Sequence, residues 1–315
     1  MKKIILFMSI ALVFAACGNK KTKKENAATK SEVLSGSISI DGSGTVFPVS
    51  EAVAEEFLKV APKVKVTVGE SGTGGGFKKF AVGTTDISDA SRDIKESEKA
   101  LCKQNNINYV RLTVALDGIT VVVNKNNTWA KDITTAELKK LWEPNSKITK
   151  WSEIREGWPN EEIHLYGPNT SHGTYDFFTE EIMGKSGASR SDYNAVSDYN
   201  VAVQGIEKDK NALGYFGLSY YEENKDKLNA LSVDNGNGLV APSLETVADN
   251  SYAPLSRSLY IFVSKKSAQR AEVQKFVEFY LDNAPTLSKE VGYVPMPASG
   301  YEAQKVVFKN ALSDK

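Results

Sequence analysis

The chain has 315 residues, in which 39 basic and 39 acidic side chains give a formal net charge of zero at pH 7. A neutral chain has no broad basic field of the kind that attracts nucleic acid, so we expect no nucleic-acid partner. With only two histidines and two cysteines, no cluster has transition-metal spacing, so we predict no metal site and no other cofactor.

The N-terminal residues indicate export. Two lysines precede an apolar run, residues 4–16, that is shorter than the ~20 residues of a membrane span. The run ends in "FAAC", which resembles the lipobox of bacterial lipoproteins except that Phe14 replaces the usual leucine; an ordinary secretory signal is the alternative. We therefore predict a signal peptide at 1–16, lipid on Cys17, and a polar tether at 17–32 that holds an extracytoplasmic protein at the cell membrane.

Two glycine-rich loops follow, each between a predicted strand and a predicted helix. A strand at 37–40 leads into "DGSGTVFP", and a strand at 64–68, whose valines alternate with polar residues, leads into "ESGTGGG". The second loop fits neither a Walker loop nor a dinucleotide fingerprint, because Phe77 stands where the templates need lysine or glycine. Converging backbone N–H groups, hydroxyls and the positive end of a helix nevertheless suit an anion.

A third unit repeats this arrangement, with a strand at 163–166, the loop "GPNTSHGT" and then the helical run "YDFFTEEIM". One such loop alone is more often a plain turn and helix cap. Three loops at strand ends of an α/β sheet predict a single ligand site in a cleft.

Six segments, in this order, give the chain a specific resemblance: "DGSGTVFPVSEAVAEEF", "GESGTGGGFKKF", "DISDASRDIK", "LYGPNTSHGTYDFFTEEI", "NALGYFG" and "VGYVPMP". Together they resemble the phosphate-binding lipoproteins of the bacterial phosphate ABC transporter, the PstS family of class II periplasmic solute-binding proteins. The resemblance implies an α/β, two-lobed class II periplasmic-binding-protein fold with two crossover hinge strands. It also implies a monomeric receptor that delivers inorganic phosphate to the permease subunits of an ABC transporter.

The resemblance implies that residues of all three loops bind the phosphate. In the first loop, the backbone N–H groups of the two residues after the threonine are expected to point at the anion. The positions are Thr45, Val46 and Phe47 in the first loop, Ser71, Gly72 and Thr73 in the second, and Thr170, Ser171, His172, Gly173 and Thr174 in the third.

The sequence departs from the family near the third loop. Better-known members place an arginine just before this loop and a serine where His172 stands, and no arginine lies in "YGPNTSHGT". We predict that Arg92 supplies the cation instead, with a surface arginine as the alternative. A carboxylate that accepts the proton of hydrogen phosphate would favour phosphate over sulfate. Asp89 is the first candidate for this acceptor, and Glu70 and Asp86 are the alternatives.

Two near-continuous apolar stretches, 112–123 and 258–263, are predicted to cross between the lobes. The first lobe would comprise 33–115 and 260–315, and the second would comprise 116–259. "VGYVPMP" is expected to pack beside the hinge rather than to touch the ligand.

Other notable residues favour structural or lining roles. Ser171 and His172 do not fit the G-x-S-x-G frame, so we predict a binding or cleft-lining histidine and no enzyme activity. The four tryptophans between 129 and 158 are expected to pack helices of the second lobe. Cys102 is expected to be a small structural residue.

Three other functions stay open. The first keeps the class and changes the ligand to sulfate or a metal oxyanion. The second is a secreted phosphoesterase, which would need metal ligands or an activated nucleophile that the sequence does not show. The third is a scaffold or adhesin that keeps the fold without the ligand.

Overall fold

The computed structural model describes residues 34–313, and the predicted signal peptide, tether and Cys17 lie outside this range. The strands are β1 (Ser35–Gly42), β2 (Lys63–Glu70), β3 (Ile87–Ala90), β4 (Tyr109–Asn124), β5 (Asp132–Thr134), β6 (His164–Pro168), β7 (Asn194–Val196), β8 (Ala212–Gly217), β9 (Leu228–Ala230), β10 (Ser232–Asp234), β11 (Leu239–Val240) and β12 (Ser256–Ser264).

The helices alternate with these strands along most of the described range. They are α1 (Phe47–Val60), α2 (Thr73–Ala81), α3 (Glu96–Gln104), α4 (Thr135–Trp142), α5 (Trp151–Ile154), α6 (Gly173–Met183), α7 (Tyr199–Lys208), α8 (Leu218–Asn224), α9 (Leu244–Ala248), α10 (Ala271–Glu290) and α11 (Ala298–Ser313), with a 3-10 turn at Ser267–Gln269. Within residues 34–313, none of the helices combines the length and the apolar character that crossing a membrane requires.

One large sheet runs through both halves of the described chain, in the order β2-β1-β3-β12-β4-β8-β6-β7, with β9 also paired to β4. The first part of β4 pairs antiparallel with β12, and residues 119–123 of β4 pair antiparallel with β8. One 16-residue strand therefore belongs to both halves of the sheet. The short strands β5, β10 and β11 form a second sheet.

Two main hydrophobic cores meet within β4, between Ala115 and Leu116. The first core lies between the sheet and helices α1, α10 and α11, and Phe57 and Tyr280 are among its buried aromatic residues. The second core includes Trp142 of α4 together with residues of α6 and β8. We call the elements around these cores the first lobe and the second lobe. The α/β, two-lobed fold implied by the sequence is therefore confirmed.

Several predictions about packing are confirmed. The crossing stretches 112–123 and 258–263 lie within β4 and β12. Val294 exchanges two backbone hydrogen bonds with Leu116 of β4, at 2.8 and 2.9 Å, so "VGYVPMP" lies beside this crossing strand. Residues 291–293 of the same segment also line a cavity between the lobes, so the expectation that the segment does not touch the ligand is not confirmed. Cys102 of α3 is buried in a small apolar cluster together with residues of α2, β3 and β12. The tryptophans all belong to the second core or pack against it: Trp129, Trp142, Trp151 and Trp158.

Three helices begin just beyond the end of a strand: α1 follows β1, α2 follows β2, and α6 follows β6. Gly72, with φ of 75°, sets the turn into α2, and glycine adopts this left-handed conformation without strain. Pro48 lies in the first turn of α1, where a missing N–H leaves no helical bond unmade. The positive ends of three helix dipoles are thus placed at strand ends, as the three loops of the sequence predict.

Candidate anion-binding site

Two neighbouring cavities lie between the lobes, and the first donor loop borders both of them. We call the first the arginine cavity; its volume is about 520 Å³, and its lining includes Thr45, Thr73, Arg92 and Arg257. We call the second the tyrosine cavity; its volume is about 490 Å³, and its lining includes Thr174, Tyr199, Tyr220 and Tyr293. Gly44 and Glu70 line both cavities, so the two spaces adjoin at the first loop.

The first and third loops are in close contact across the cleft. A Cβ atom placed on Gly173 would lie 3.0 Å from Thr45 Oγ1 and 3.2 Å from Thr45 Cα. Thr45 and Thr174 are both buried, with 6% and 7% of their surfaces exposed. The loops before α1 and α6 therefore meet at the junction of the lobes, with a threonine on each side.

The backbone of the first loop is already hydrogen-bonded within its own turn. Val46 and Phe47 both donate their N–H groups to the carbonyl oxygen of Ser43, at 3.1 and 2.9 Å. The N–H of Thr45 donates to Ser43 Oγ at 3.2 Å. The prediction that the amides of Val46 and Phe47 point at an anion does not match this geometry, because both are used in the turn.

The second loop brings fewer groups to the cleft than predicted. The Ser71 hydroxyl donates to the carboxylate of Asp41, and Ser71 lines neither cavity. Gly72 and Thr73 do line the arginine cavity, and the Thr73 hydroxyl lies 3.2 Å from Ser91 Oγ. Ser71 therefore stabilises the loop within the first lobe, whereas Gly72 and Thr73 reach the cavity.

The third loop is similarly divided. Thr170 is exposed and lines neither cavity. Ser171 lines the tyrosine cavity and donates its hydroxyl to Asn169 Oδ1 at 2.6 Å. His172 also lines that cavity, with Nε2 3.0 Å from the carbonyl oxygen of Ser197. His172 thus lines the cleft, and its contact with phosphate stays a prediction.

Arg92 lines the arginine cavity, but its guanidinium already has partners. Its Nη1 and Nη2 donate to the two carboxylate oxygens of Glu98, at 2.9 and 2.8 Å, and Nη1 also donates to the Asp93 carbonyl at 3.0 Å. Partial burial alone would raise the pKa of Glu98, but hydrogen bonds from Arg92 and from the Lys95 amide bring it below its usual value. The prediction that Arg92 supplies the cation does not match this arrangement, because both terminal nitrogens of its guanidinium group already donate to the Glu98 carboxylate.

Arg257, which sequence reasoning missed, is the arginine that touches a donor loop. Its Nη2 donates to Thr45 Oγ1 at 3.0 Å and to Asp117 Oδ2 at 3.2 Å, and its Nε also donates to Asp117 Oδ2. Its guanidinium carbon lies 3.7 Å from the centre of the Phe177 ring in α6. A signal was present, because Asp117 is the one charged residue within 112–123 and Arg257 directly precedes the apolar stretch 258–263.

Asp89 lies directly behind the first loop, where its carbonyl oxygen accepts the N–H of Ser43 at 3.0 Å. Its side chain is fully buried, and neither carboxylate oxygen has a hydrogen-bond partner within the described range. Burial raises the pKa of Asp89 to about 7; the nearby Ser50 hydroxyl opposes this rise, and Asp41 adds to it. The Ser50 hydroxyl is hydrogen-bonded to the Tyr280 hydroxyl, at 3.0 Å. The carboxyl group of Asp89 therefore has no hydrogen bond from Ser50 in this structure.

The other two candidate carboxylates lie in quite different places. Glu70 is exposed, lines both cavities and lies against Gly44 of the first loop. Asp86 precedes β3 at the end away from the cleft, where it accepts the Ser39 N–H at 2.9 Å and the Ser267 hydroxyl at 2.7 Å and pairs with Arg270. The suggestion that Asp86 could accept a ligand proton is therefore wrong, because both of its carboxylate oxygens are bonded to residues of the first lobe at the far end of the strand.

The part of the chain that the structure describes contains no group of three or more His, Cys, Asp or Glu side chains placed to hold a metal ion. The chemistry available in the cleft is that of hydroxyl donors, helix N-termini, arginines and carboxylates.

The two lobes, the shared crossing strands and a cleft lined by helix N-termini define a solute-binding protein of the periplasmic type. A family model described as the PBP superfamily domain matches residues 26–284. With this match and the relatives below, the chain belongs to the PBP superfamily and, within it, to the family of PstS phosphate-binding proteins.

The phosphate-binding protein PstS of Staphylococcus saprophyticus is 40% identical to this chain over 311 residues, covering 97% of this chain and 94% of that protein. Protein SphX of Synechococcus elongatus is 49% identical over 276 residues, covering 87% and 81%. The crystal structure of a possible phosphate binding protein from Planctomyces limnophilus is 48% identical, with a TM-score of 0.85, covering 89% of this chain and 99% of that one.

Proposed function

We propose that this protein is an extracytoplasmic receptor that binds one inorganic phosphate between its lobes and delivers it to the permease of an ABC transporter. The observation that carries the proposal is the close approach of the Thr45 loop to Gly173, the residue before Thr174, across the cleft. Helix N-termini and buried hydroxyls from both lobes there form an anion site without a metal. The phosphate-binding relatives support the identity of the anion.

The proposed ligand set is narrower than the sequence suggested. Direct contacts come from the residues that line the cavities near the meeting of the loops, with a carboxylate behind them. The proposed contacts are Thr45, Gly72, Thr73, Ser171, His172, Gly173 and Thr174, and the proposed proton acceptor is Asp89.

Selectivity for phosphate is proposed to rest on Asp89. Hydrogen phosphate has a proton to donate and sulfate has none, so a buried acceptor carboxylate favours the first and repels the second. An unpartnered carboxyl group is costly to bury in the free protein. We infer that a ligand proton supplies its missing partner.

The protein is proposed to work by binding alone, without a catalytic step. The lobes, taken as 33–115 with 260–315 and as 116–259, would close about β4 and β12 when phosphate bridges them. Lipid on Cys17 and the tether at 17–32 would hold a monomeric receptor at the cell membrane, outside the cytoplasm and near its permease.

The proposal is tested by calorimetric titration of the chain from residue 32 onward, after removal of bound anions by partial unfolding and refolding. We expect one phosphate to bind per chain and sulfate to bind at least 100-fold more weakly, a difference of ~2.7 kcal/mol. Folded protein that gives no heat with phosphate would overturn the proposal. Equal affinities would leave an oxyanion receptor without phosphate selectivity.

A further inference from the structure

The charges around the arginine cavity do not by themselves favour an anion. Four carboxylates line the cavity: Glu70, Asp176, Glu180 and Glu181. Three cationic side chains, Arg92, Lys95 and Arg257, line it as well. Because acids outnumber bases, an anion near the first loop needs a cation in direct contact with that loop rather than a general positive field.

Among residues 34–313, only one of these cations donates a hydrogen bond to a donor loop, and that is Arg257, to Thr45. Arg92 donates to both carboxylate oxygens of Glu98, so the two nitrogens that could bind an oxyanion together are already used. Arg257 contacts a single oxygen of Asp117, and both distances are 3.2 Å. Within the described residues its Nη1 has no hydrogen-bond acceptor, so the guanidinium keeps capacity for an oxyanion.

The orientation of Arg257 is fixed from several sides. The side chain is only 13% exposed, and its guanidinium stacks on Phe177 of α6 at 3.7 Å. Arg257 and Asp117 lie opposite each other in the β12–β4 ladder. A planar guanidinium that is held in this way loses little conformational freedom when a ligand binds.

We propose that Arg257 is the phosphate-binding cation of this site, seated on a crossing strand rather than in the third loop. The proposal rests on the phosphate-receptor function proposed above. Asp117 is then a positioning residue, which holds Arg257 towards Thr45 and balances its buried charge when the site is empty.

This position links the ligand to the hinge. Arg257 contacts Thr45 in the first lobe and Phe177 in the second, and it stands on β12 opposite β4. An anion bound to its guanidinium is therefore fixed to both lobes and to both crossing strands through one side chain.

The test compares phosphate affinities of Arg257→Ala, Arg257→Lys and Arg92→Ala with the wild type by calorimetry. Loss of a buried charged contact predicts that Arg257→Ala binds ~30–1,000-fold more weakly. Arg257→Lys should recover only part of this loss, because an ammonium keeps the charge without the fork. Arg92→Ala should lose much less than Arg257→Ala.

Two further variants make the result decisive. Arg257→Ala leaves Asp117 buried and unpaired, so the double variant Arg257→Ala/Asp117→Asn removes that charge and keeps the fold testable by thermal unfolding. Arg111→Ala is the matched control, because Arg111 lies in the same ladder, stacks on Tyr260 at 5.1 Å and lines neither cavity. It should bind phosphate as the wild type does.

Wild-type affinity in the folded double variant would overturn the assignment of Arg257 while leaving the receptor function intact. A larger loss in Arg92→Ala than in Arg257→Ala would return the role to Arg92. Failure of the wild-type protein itself to bind phosphate would instead reject the proposed function.

Discussion

At the scale of single residues, Asp89 combines properties that a purely structural residue would not need. Its carboxyl group is fully buried without a hydrogen-bond partner among the described residues, directly behind the loop that carries Thr45. Burying an unpaired carboxyl group destabilises the free protein. Such a cost is typical of groups whose partner arrives with the ligand.

The first prediction concerns anion selectivity. Asp89→Asn should weaken phosphate binding and at the same time strengthen sulfate binding, because the amide no longer repels an oxyanion that lacks a proton. Glu70→Gln is the matched comparison, since Glu70 lines both cavities but is exposed, and it should keep most of the discrimination. Phosphate and sulfate affinities for both variants decide the matter. Unchanged discrimination in Asp89→Asn would show that Asp89 is not the acceptor.

The second prediction concerns stability against pH. The pKa of Asp89 is raised by burial from 3.8 to about 7, so the folded state keeps a proton that the unfolded chain has lost between these values. Stability from this group is therefore present below pH ~4 and declines as the pH rises towards 7, by on the order of 4 kcal/mol in total. Asp89→Asn lacks this decline.

Urea unfolding of both proteins without phosphate at pH 4.5 and pH 8 tests this prediction. The stability of Asp89→Asn relative to the wild type should rise by several kcal/mol between the two pH values. Asp226→Asn, which changes an exposed aspartate, should show no such trend. A pH-independent difference for Asp89→Asn would mean that Asp89 stays ionised in the folded protein.

At the scale of elements, the start of α6 is fitted closely to the loop before α1. Gly173 is the first residue of α6, and a Cβ there would lie 3.0–3.2 Å from Thr45. That distance is shorter than an ordinary van der Waals contact, so a side chain at this position would require Thr45 to shift by a few tenths of an ångström. Because Gly173 has no side chain, the start of α6 can lie this close to the Thr45 loop of the other lobe.

The third prediction follows from this fit. Gly173→Ala should weaken phosphate binding by ~1–3 kcal/mol, the range for added atoms in a packed site, although alanine favours the helix itself. Gly74→Ala is the comparison for a glycine that lines the cleft without a close neighbour, because its Cβ would meet only Arg92 Nη2, at 3.8 Å. Calorimetry gives the affinities, and small-angle scattering shows whether the phosphate-bound variant stays more open. Wild-type affinity in Gly173→Ala would mean that the loops need not meet.

The three strand–loop–helix units could be predicted because their signals are local. Alternating valines, a run of glycines and a helix start lie within a few residues of one another, and β2 with α2 appear where "VKVTV" and "FKKF" indicate them. The direction of individual groups could not be predicted in this way. Ser71 is drawn to Asp41, a residue of the neighbouring strand, and only the strand pairing decides this contact.

The cation was missed for the same physical reason. Arg257 and Thr45 are 212 positions apart, and Arg257 and Asp117 are 140 apart. The contact with Asp117 depends on the antiparallel register of β4 and β12, which sequence pattern does not specify when both strands are apolar. The contact with Thr45 depends on the order in which β1, β3 and β12 lie in the sheet. Arg92, by contrast, is predicted because it lies in the family-like segment "DISDASRDIK" while the third loop has no arginine, and its ion pair with Glu98 in α3 cannot be foreseen from the sequence.

At the scale of the whole molecule, the distribution of tryptophans makes the lobes distinguishable in solution. All four belong to the second core or pack against it, so tryptophan fluorescence reports the second lobe. Circular dichroism reports the helices of both lobes. The proposed ligand touches Thr45 in the first lobe and Thr174 in the second, so its binding should stabilise the two lobes together.

The fourth prediction uses this difference between probes. With phosphate at about 100 times its dissociation constant, the free energy of unfolding should rise by ~2.7 kcal/mol, because ligand binds the folded state and not the unfolded chain. Urea transitions followed by fluorescence and by circular dichroism should shift by the same amount, while sulfate at the same concentration should stabilise by no more than ~0.4 kcal/mol. If phosphate moved the dichroism transition and left the fluorescence transition in place, the ligand would be held by the first lobe alone. The contact between Thr45 and the start of α6 would then have no part in binding.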